Sequence, residues 1–108
     1  EREAEAMLSA AKSRKAATTY TVLAELNENL AGLEAARRVD ILTRTSLLPQ
    51  AELTFQAALP GYETGKIDFA TLLDAQKQIR QARQAIIKAQ AEAQIRLAEI
   101  EKLLGEDL

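Results

Sequence analysis

Residues 60–69 are the one stretch of this chain in which helix-breaking residues are concentrated. They hold two of the four glycines and one of the two prolines. Glycine ends helices through its backbone freedom, and proline does so because it lacks an N–H donor. Asp68 can accept hydrogen bonds from the free amides of a new first turn, so a second helix is predicted to begin at Asp68 or Phe69. The sequence therefore predicts a helical hairpin with a first arm at about 2–59, a tip at 60–68 and a second arm at about 69–104.

The second arm contains no Gly or Pro, and its apolar residues alternate at spacings of three and four. The positions of this seam are Leu72, Ala75, Ile79, Ala82, Ile86, Ala89, Ala93, Arg96, Ile100 and Leu103, of which only Arg96 is charged. Such a heptad seam is typical of a coiled coil. The predicted fold class is all-α, a long antiparallel helical hairpin or coiled coil. A two-helix hairpin would leave Leu73, Ile87, Ile95 and Leu97 partly exposed.

The first arm has apolar stripes that change face along the helix. The successive stripes are Leu23, Leu26, Leu30 and Leu33, then Ala35, Val39 and Leu42, and finally Leu48, Ala51, Phe55, Ala58 and Tyr62. A seam that changes face suggests a helix that contacts different neighbours at different heights, as in a ring of helices.

Pro49 is the weak point of the first arm. Proline removes one backbone hydrogen bond and disfavours helical angles at the preceding residue, so a kink is expected, or a break with a new helix whose first turn holds Pro49. The arms are unequal in length, which leaves the N-terminal part of the first arm without a partner. We expect that part to self-associate, or the arm to fold back at 45–49 into a three-helix arrangement.

Composition excludes several classes of function. The net charge of −2, from 14 basic and 16 acidic side chains, gives no surface that attracts nucleic acid or anionic membranes. No apolar run approaches the roughly 20 residues of a membrane-spanning helix. Histidine and cysteine are both absent, which removes the common catalytic and zinc-binding side chains. We expect a non-enzyme without cofactor or metal site, cut from a longer chain because it begins in helix-forming residues without a cap.

Three segments around the tip carry a family resemblance. They read LLPQAE at 47–52, GYETGKIDF at 61–69 and LLDAQ at 72–76. Together they resemble the C-terminal helical hairpin of the outer-membrane factors, the TolC-type efflux channels. Their sequences are most similar to those of the branch paired with heavy-metal efflux. The resemblance continues more loosely to 103–105, and over 1–46 it rests on pattern alone. Pro60 departs from the family, which usually has a small helix-forming residue there, so the first helix is expected to end early.

The resemblance implies a place in a periplasmic α-barrel. In that family three protomers form an outer-membrane barrel that continues into the periplasm as an α-barrel, whose tips meet a periplasmic adaptor and close the resting channel. It thus implies a homotrimeric parent protein on the periplasmic side of the outer membrane, with the inner-membrane pump as an indirect partner. Transferred by position, the adaptor-contact residues are Thr64, Gly65, Lys66 and Ile67, and Asp74 matches an aspartate of the constriction.

Each of these residues also has a plain structural interpretation. Gly65 is equally well explained by the positive backbone angle of a turn, Asp74 by an exposed helix position, and Tyr62 and Phe69 by packing across the tip. Two other functions stay open, namely the coiled-coil hairpin of a periplasmic adaptor and a stand-alone structural coiled coil. The sequence does not indicate the exported substrate or the identity of the pump.

Overall fold

The computed structural model describes residues 1–107, which form a helical hairpin without strands. The first arm consists of α1 (Arg2–Leu42), a π turn (Thr43–Leu47) and α2 (Leu48–Glu63), and the second arm is α3 (Phe69–Asp107). The predicted all-α hairpin is confirmed.

The first arm is one continuous rod. A helix from Arg2 to Glu63 is about 92 Å long at about 1.5 Å per residue, and the longest dimension of the molecule is 92 Å. Both α1 and α2 pack against α3. The fold-back at 45–49 that the sequence left open therefore does not occur.

The seam of α3 is as predicted. All ten positions are buried or half-buried, including the charged Arg96. The most buried of them, Ala75 and Ala89, are alanines that let the other arm approach closely. Of the four apolar residues outside the seam, Leu73, Ile87 and Ile95 are exposed and Leu97 is half-buried, so α3 keeps apolar surface that the first arm does not cover.

The seam of α1 differs from the prediction. Its positions spaced by three and four are Val22, Leu26, Asn29, Leu33, Ala36, Asp40 and Thr43, all of them buried or half-buried, and Gly32 beside them is half-buried too. Of the first predicted stripe, Leu26 and Leu33 lie in this seam, whereas Leu23 and Leu30 are exposed. The stripe of Ala35, Val39 and Leu42 is wrong, since all three residues are exposed. The seam passes instead through polar residues: Thr43 is only 2% exposed, and Asp40 is held by Arg44 at 2.6 Å. One face of α1 thus follows α3 from Val22 to Thr43.

The π turn shifts the seam by one residue. In α2 the buried and half-buried residues include the predicted Leu48, Ala51, Phe55 and Ala58. A regular helix that continued the α1 spacing from Thr43 would instead present residues 47, 50, 54 and 57 to α3. These residues lie one position before the observed seam residues, which is about 100° around the helix axis. The π turn contains one residue more than an α-helical turn, because the Leu48 N–H donates to the Thr43 carbonyl, five residues back. This extra residue rotates α2 so that its apolar residues face α3. Both seams therefore face α3, and their change of phase does not require several neighbouring helices.

Pro49 lies directly after the π turn. A proline ring clashes with the carbonyl four residues back in a regular α-helix, and the wider turn accommodates it. Pro49 is the second residue of α2, but the break that the sequence offered as the alternative to a kink does not occur, because α1, the π turn and α2 follow one another without a gap. The Thr45 hydroxyl donates to the Ile41 carbonyl at 2.6 Å. The expected distortion is present, but the chain stays helical through it.

Pro60 does not end the first arm. α2 continues to Glu63, four residues beyond the predicted end at about 59, so the loop of the tip is 64–68. The Pro60 carbonyl accepts the Thr64 N–H at 3.0 Å and the Thr64 hydroxyl at 2.9 Å. The helix therefore retains bonding partners after the proline, and it stops only where the backbone reverses at Gly65.

The N-terminal part of α1 extends beyond α3. Residues 1–21 are exposed throughout, among them Met7, Leu8 and Tyr20. The unequal arm lengths predict this overhang. Within residues 1–107, no helix combines the length and the hydropathy that crossing a membrane requires.

Candidate functional site: the hairpin tip

The tip is closed by main-chain hydrogen bonds that form a Schellman motif at the end of α2. The Lys66 N–H donates to the Gly61 carbonyl at 2.7 Å, and the Gly65 N–H donates to the Tyr62 carbonyl at 3.0 Å. The Ile67 N–H also donates to Gly61, at 3.1 Å. These bonds satisfy carbonyls that a helix end leaves without partners, so the tip is an ordered turn.

Gly65 is required by the turn. Its φ of 77° lies in the left-handed region, where residues with a Cβ are strained. A Cβ at Gly65 would meet nothing within 4 Å. The constraint on this residue is therefore its backbone angle, and the space around it is open to solvent.

Gly61 serves the same turn in a different way. A Cβ there would lie 3.3 Å from Cγ1 of Ile67, so the missing side chain lets Ile67 pack onto the end of α2. Ile67 is half-buried as a result. Of the four predicted adaptor-contact residues, Ile67 is thus partly used to hold the tip together.

Asp68 caps α3, as the sequence predicts. Its Oδ1 accepts the Thr71 N–H at 2.9 Å and the Thr71 hydroxyl at 2.6 Å, and α3 begins at Phe69. The hydrogen bond from the Thr71 side chain, followed by the one from its backbone, lowers the pKa of Asp68 below its ordinary value. The cap is therefore formed by the ionised carboxylate.

The two aromatic rings of the tip pack across the turn. The centroids of Tyr62 and Phe69 lie 5.8 Å apart with an interplanar angle of 57°, within the range of favourable aromatic pairs. This contact joins the last turn of α2 to the first turn of α3, and it supports the structural interpretation of both residues.

The predicted site residues fall into two groups. Thr64, Gly65 and Lys66 are exposed at the tip beside the half-buried Ile67, and so form one surface. The Thr64 hydroxyl is turned back to the Pro60 carbonyl. Asp74 is also exposed, but it lies in the second turn of α3, away from this surface. Among the described residues, no group of three or more acidic side chains forms that could hold a metal ion.

A second polar cluster was missed by sequence reasoning and lies far from the tip. Arg96 donates through Nε to Glu92 at 2.9 Å and through Nη1 to Asn29 of α1 at 3.0 Å. A Cβ on Gly32 would lie 2.6 Å from Arg96 Nε. Both residues are unusual in the sequence, because Arg96 is the single charged residue of the α3 seam and Gly32 is an isolated glycine in α1. The sequence did not show that the two residues contact each other.

An open cleft beside the π turn was also missed. It has a volume of about 380 Å³. Its lining is largely polar or small, contributed by Thr43, Leu47, Gln50, Ala51 and Thr54 of the first arm and by Gln78, Gln81, Ala82 and Ala85 of α3. The two arms therefore leave an open space between them beside the π turn.

The chain matches a known protein family over almost its whole length. The family described as outer membrane efflux protein matches residues 2–106, which cover both arms and the tip. The chain belongs to the outer membrane efflux protein family. No individual curated protein and no solved structure matches the chain.

Membership in the outer membrane efflux protein family confirms the resemblance to the TolC-type efflux channels at the level of the family. The family consists of transport channels of the outer membrane, whose members act as trimers with adaptor and pump partners. The hairpin is thus a component of an outer-membrane efflux channel. This favours the channel over the two other functions that the sequence left open, the adaptor and the stand-alone coiled coil.

Proposed function

We propose that this hairpin belongs to the periplasmic α-barrel of the efflux channel, with its tip docking a periplasmic adaptor and Asp74 contributing to closure of the duct. The observation that carries the proposal is the family match over residues 2–106, because it includes the tip together with both arms. The parent protein is then a homotrimer on the periplasmic side of the outer membrane, of which these 108 residues are one segment.

Apolar surface on both arms supports a position among other helices. Ile87 is 67% exposed and Leu53 is 65% exposed, and Ile95, Val39 and Leu42 are exposed as well. Apolar side chains distributed along both arms of an extended hairpin are suited to contact with neighbouring helices. In an α-barrel such neighbours lie on two sides of every hairpin.

The tip geometry restricts how an adaptor can bind. The N–H groups of Gly65, Lys66 and Ile67 are already used within the turn, so they are not donors for a partner. Recognition is left to the Lys66 ammonium group, to the carbonyls of the loop and to the open space over Gly65. An adaptor side chain can approach the backbone at Gly65 because no Cβ blocks it.

Asp74 fits a role that one chain cannot perform alone. It is exposed and has no acidic cluster around it within the described residues. A threefold axis would bring three copies together, where like charges repel and a cation can bridge them. Opening would then be a change of packing and charge at a constriction, in which no bond is made or broken. The proposal therefore includes no catalytic activity and no cofactor.

Cross-linking in the full-length parent protein tests both roles. Cysteines are introduced separately at Lys66 and Asp74 in cells that contain the matching adaptor. Gln76→Cys, at an exposed position of α3 about 200° around the helix from Asp74, serves as the control. We expect position 66 to capture the adaptor, position 74 to capture its own symmetry mates, and position 76 to capture neither. Failure of position 66 to capture the adaptor would contradict docking, and failure of position 74 to capture a symmetry mate would contradict its role in closure.

Two substitutions at Gly65 separate its turn role from docking. Asparagine tolerates the left-handed backbone conformation, whereas alanine does so poorly. Gly65→Asn should therefore keep the tip folded while filling the space above it. If docking requires that space, this variant loses adaptor capture through position 66 without losing thermal stability. Retained capture would mean that Gly65 serves the turn alone.

The heavy-metal branch is the narrowest part of the proposal and rests on the residues at 47–52, 61–69 and 72–76 taken together, of which 61–69 forms the tip. Substrate choice is tested by replacing this segment in a full-length channel of the metal-efflux branch and measuring metal resistance of the cells. Resistance at the level of the parent supports the assignment. Loss of resistance with normal amounts of folded trimer in the outer membrane contradicts it.

A further inference from the structure

The two seams of the first arm are out of phase by one residue, and the π turn alone brings both onto α3. We propose that the π turn is a conformational switch, and that α2 has a second packing arrangement on α3 in which it is rotated by about 100°. In that arrangement the turn becomes regular α-helix, and Leu47, Gln50 and Thr54 replace Leu48, Ala51 and Phe55 in the seam. The inference concerns a single hairpin and does not depend on the channel function.

The cleft beside the π turn has the composition that the rotated arrangement needs. It is lined by Leu47, Gln50 and Thr54, the residues that would move into the seam. Across the cleft, α3 presents the amides of Gln78 and Gln81 beside small alanines. The rotation would therefore bring a leucine and two hydrogen-bonding side chains towards an open surface that offers both small apolar residues and hydrogen-bonding amides.

The hydrogen bonds around the turn depend little on which of the two arrangements forms. Pro49 has no N–H, so it donates no main-chain hydrogen bond in either arrangement. The Ile41 carbonyl is bonded by the Thr45 hydroxyl at 2.6 Å, which reduces its dependence on the main-chain pattern. Pro49 also selects the observed arrangement, because its ring would clash in a regular helix.

The contacts at its two ends confine the movement to α2 and the tip loop. On the far side, Arg96 is bonded to Asn29 across the two arms and packs over Gly32, which holds α1 in place on α3. On the tip side, the bonds to the Gly61 carbonyl attach the loop to the end of α2. The loop therefore moves with α2, while α1 stays in place.

The test compares two buried alanines in the full 108-residue chain, which has no natural cysteine. Ala36 in α1 and Ala51 in α2 are each 6% exposed, so Ala36→Cys and Ala51→Cys are matched sites on the two seams. Their alkylation rates are measured under native conditions against Leu53→Cys as the exposed reference. A second arrangement populated at about 0.1–10% would let position 51 react at about that fraction of the reference rate.

We expect position 51 to react at least about tenfold faster than position 36. Adding Pro49→Ala, which removes the clash that disfavours a regular helix, should raise the rate at position 51 and leave position 36 unchanged. Equal rates at the two positions, or no effect of Pro49→Ala, would overturn the inference.

Deletion of Thr45 distinguishes rotation from local unfolding. The deletion removes the extra residue, so a regular helix then presents Leu48, Ala51 and Phe55 to α3, and the rotated arrangement no longer has the advantage of a regular turn. With helical content preserved by circular dichroism, the reactivity of position 51 should fall to that of position 36, and Thr54→Cys should stay reactive. Reactivity at position 51 that persists in the deletion variant would show that it arises from local unfolding and would overturn the inference. Should the deletion variant fail to fold, the Pro49→Ala comparison decides.

Discussion

The two ends of this hairpin are held by different kinds of interaction. The tip is closed by main-chain bonds among Gly61, Tyr62, Gly65, Lys66 and Ile67, so every partner lies within seven residues. The far end is held by side chains, and the bond between Arg96 and Asn29 joins residues 67 positions apart. The tip thus follows from local chain geometry, whereas the far cluster exists only once α1 and α3 are paired in the observed register.

This difference suggests how the hairpin opens. A Schellman motif and an N-cap need no distant partner, so the tip should persist while the arms separate. The Arg96 cluster is half-buried and lies near the overhang of α1, where fewer contacts support it. Separation should therefore begin at the far end and proceed towards the tip.

The largest effect is expected from Gly65→Ala. Placing a Cβ at a φ of 77° costs about 1–2 kcal/mol, which should lower the midpoint of thermal unfolding measured by circular dichroism. Gly105→Ala is the matched control, because Gly105 lies within α3 and a Cβ there meets nothing within 4 Å. It should raise the midpoint, since alanine is the better helix former. A loss of the same size at both positions would contradict the turn role of Gly65.

The next effect tests the far cluster through a double-mutant cycle. Gly32→Ala should displace the Arg96 side chain and break its bond to Asn29, costing about 1 kcal/mol and offsetting the gain in helix propensity. In an Arg96→Ala background the same substitution should be stabilising by up to about 1 kcal/mol. The coupling free energy, measured from chemical unfolding of the four variants, should therefore be about 1 kcal/mol. A coupling near zero would mean that Gly32 and Arg96 do not contact each other in solution.

A smaller effect is expected from acid at the tip. Because the pKa of Asp68 is lowered in the folded chain, its contribution to stability is present above its ordinary value of 3.8 and is lost as the pH falls through the lower folded value. Asp68→Asn keeps a capping oxygen without this titration. Between pH 5 and pH 2, the unfolding midpoint of the native chain should fall by more than that of Asp68→Asn. Parallel pH profiles would show that the carboxylate charge is not used at the cap.

The smallest effect is expected at an exposed ion pair of α1. Glu34 and Arg38 lie one helical turn apart with 3.2 Å between the charged atoms, and both side chains are more than 70% exposed. Such pairs contribute about 0.2–0.5 kcal/mol and are screened by salt. Glu34→Gln should lower the unfolding midpoint by about 1–4 °C, and by nothing in molar salt. A larger loss would indicate that this surface contacts another part of the chain.

Sequence reasoning performed best where interactions are local or strictly periodic. The helical start after Asp68 and the ten-position seam of α3 were predicted residue by residue, because capping chemistry and heptad spacing depend on neighbours in the chain. The end of α2 was predicted too early at Pro60. The reason is that a proline near the end of a helix removes only one bond, while the residues that follow it can still donate.

The phase of the first arm was the main error. After Leu33 the same phase meets charged residues, so the prediction ends the first stripe there and places a second one on a neighbouring face, at Ala35, Val39 and Leu42. The structure instead continues through Ala36 and the polar Thr43. Neither polar seam residues nor an inserted π turn can be identified from apolar spacing alone. Both become visible only when α3 is present to show which face is buried.

The sequence by itself determined that this chain is an all-α hairpin, where it reverses, and which face of α3 is buried. Those features depend on backbone freedom, missing donors and periodicity, all of which are properties of short segments. Tertiary structure alone decided which face of α1 is buried and where the π turn forms that brings α2 onto α3. It also decided the contact of Arg96 with Gly32. These depend on where two distant helices come together, and that register is fixed by the sum of many contacts along the whole hairpin.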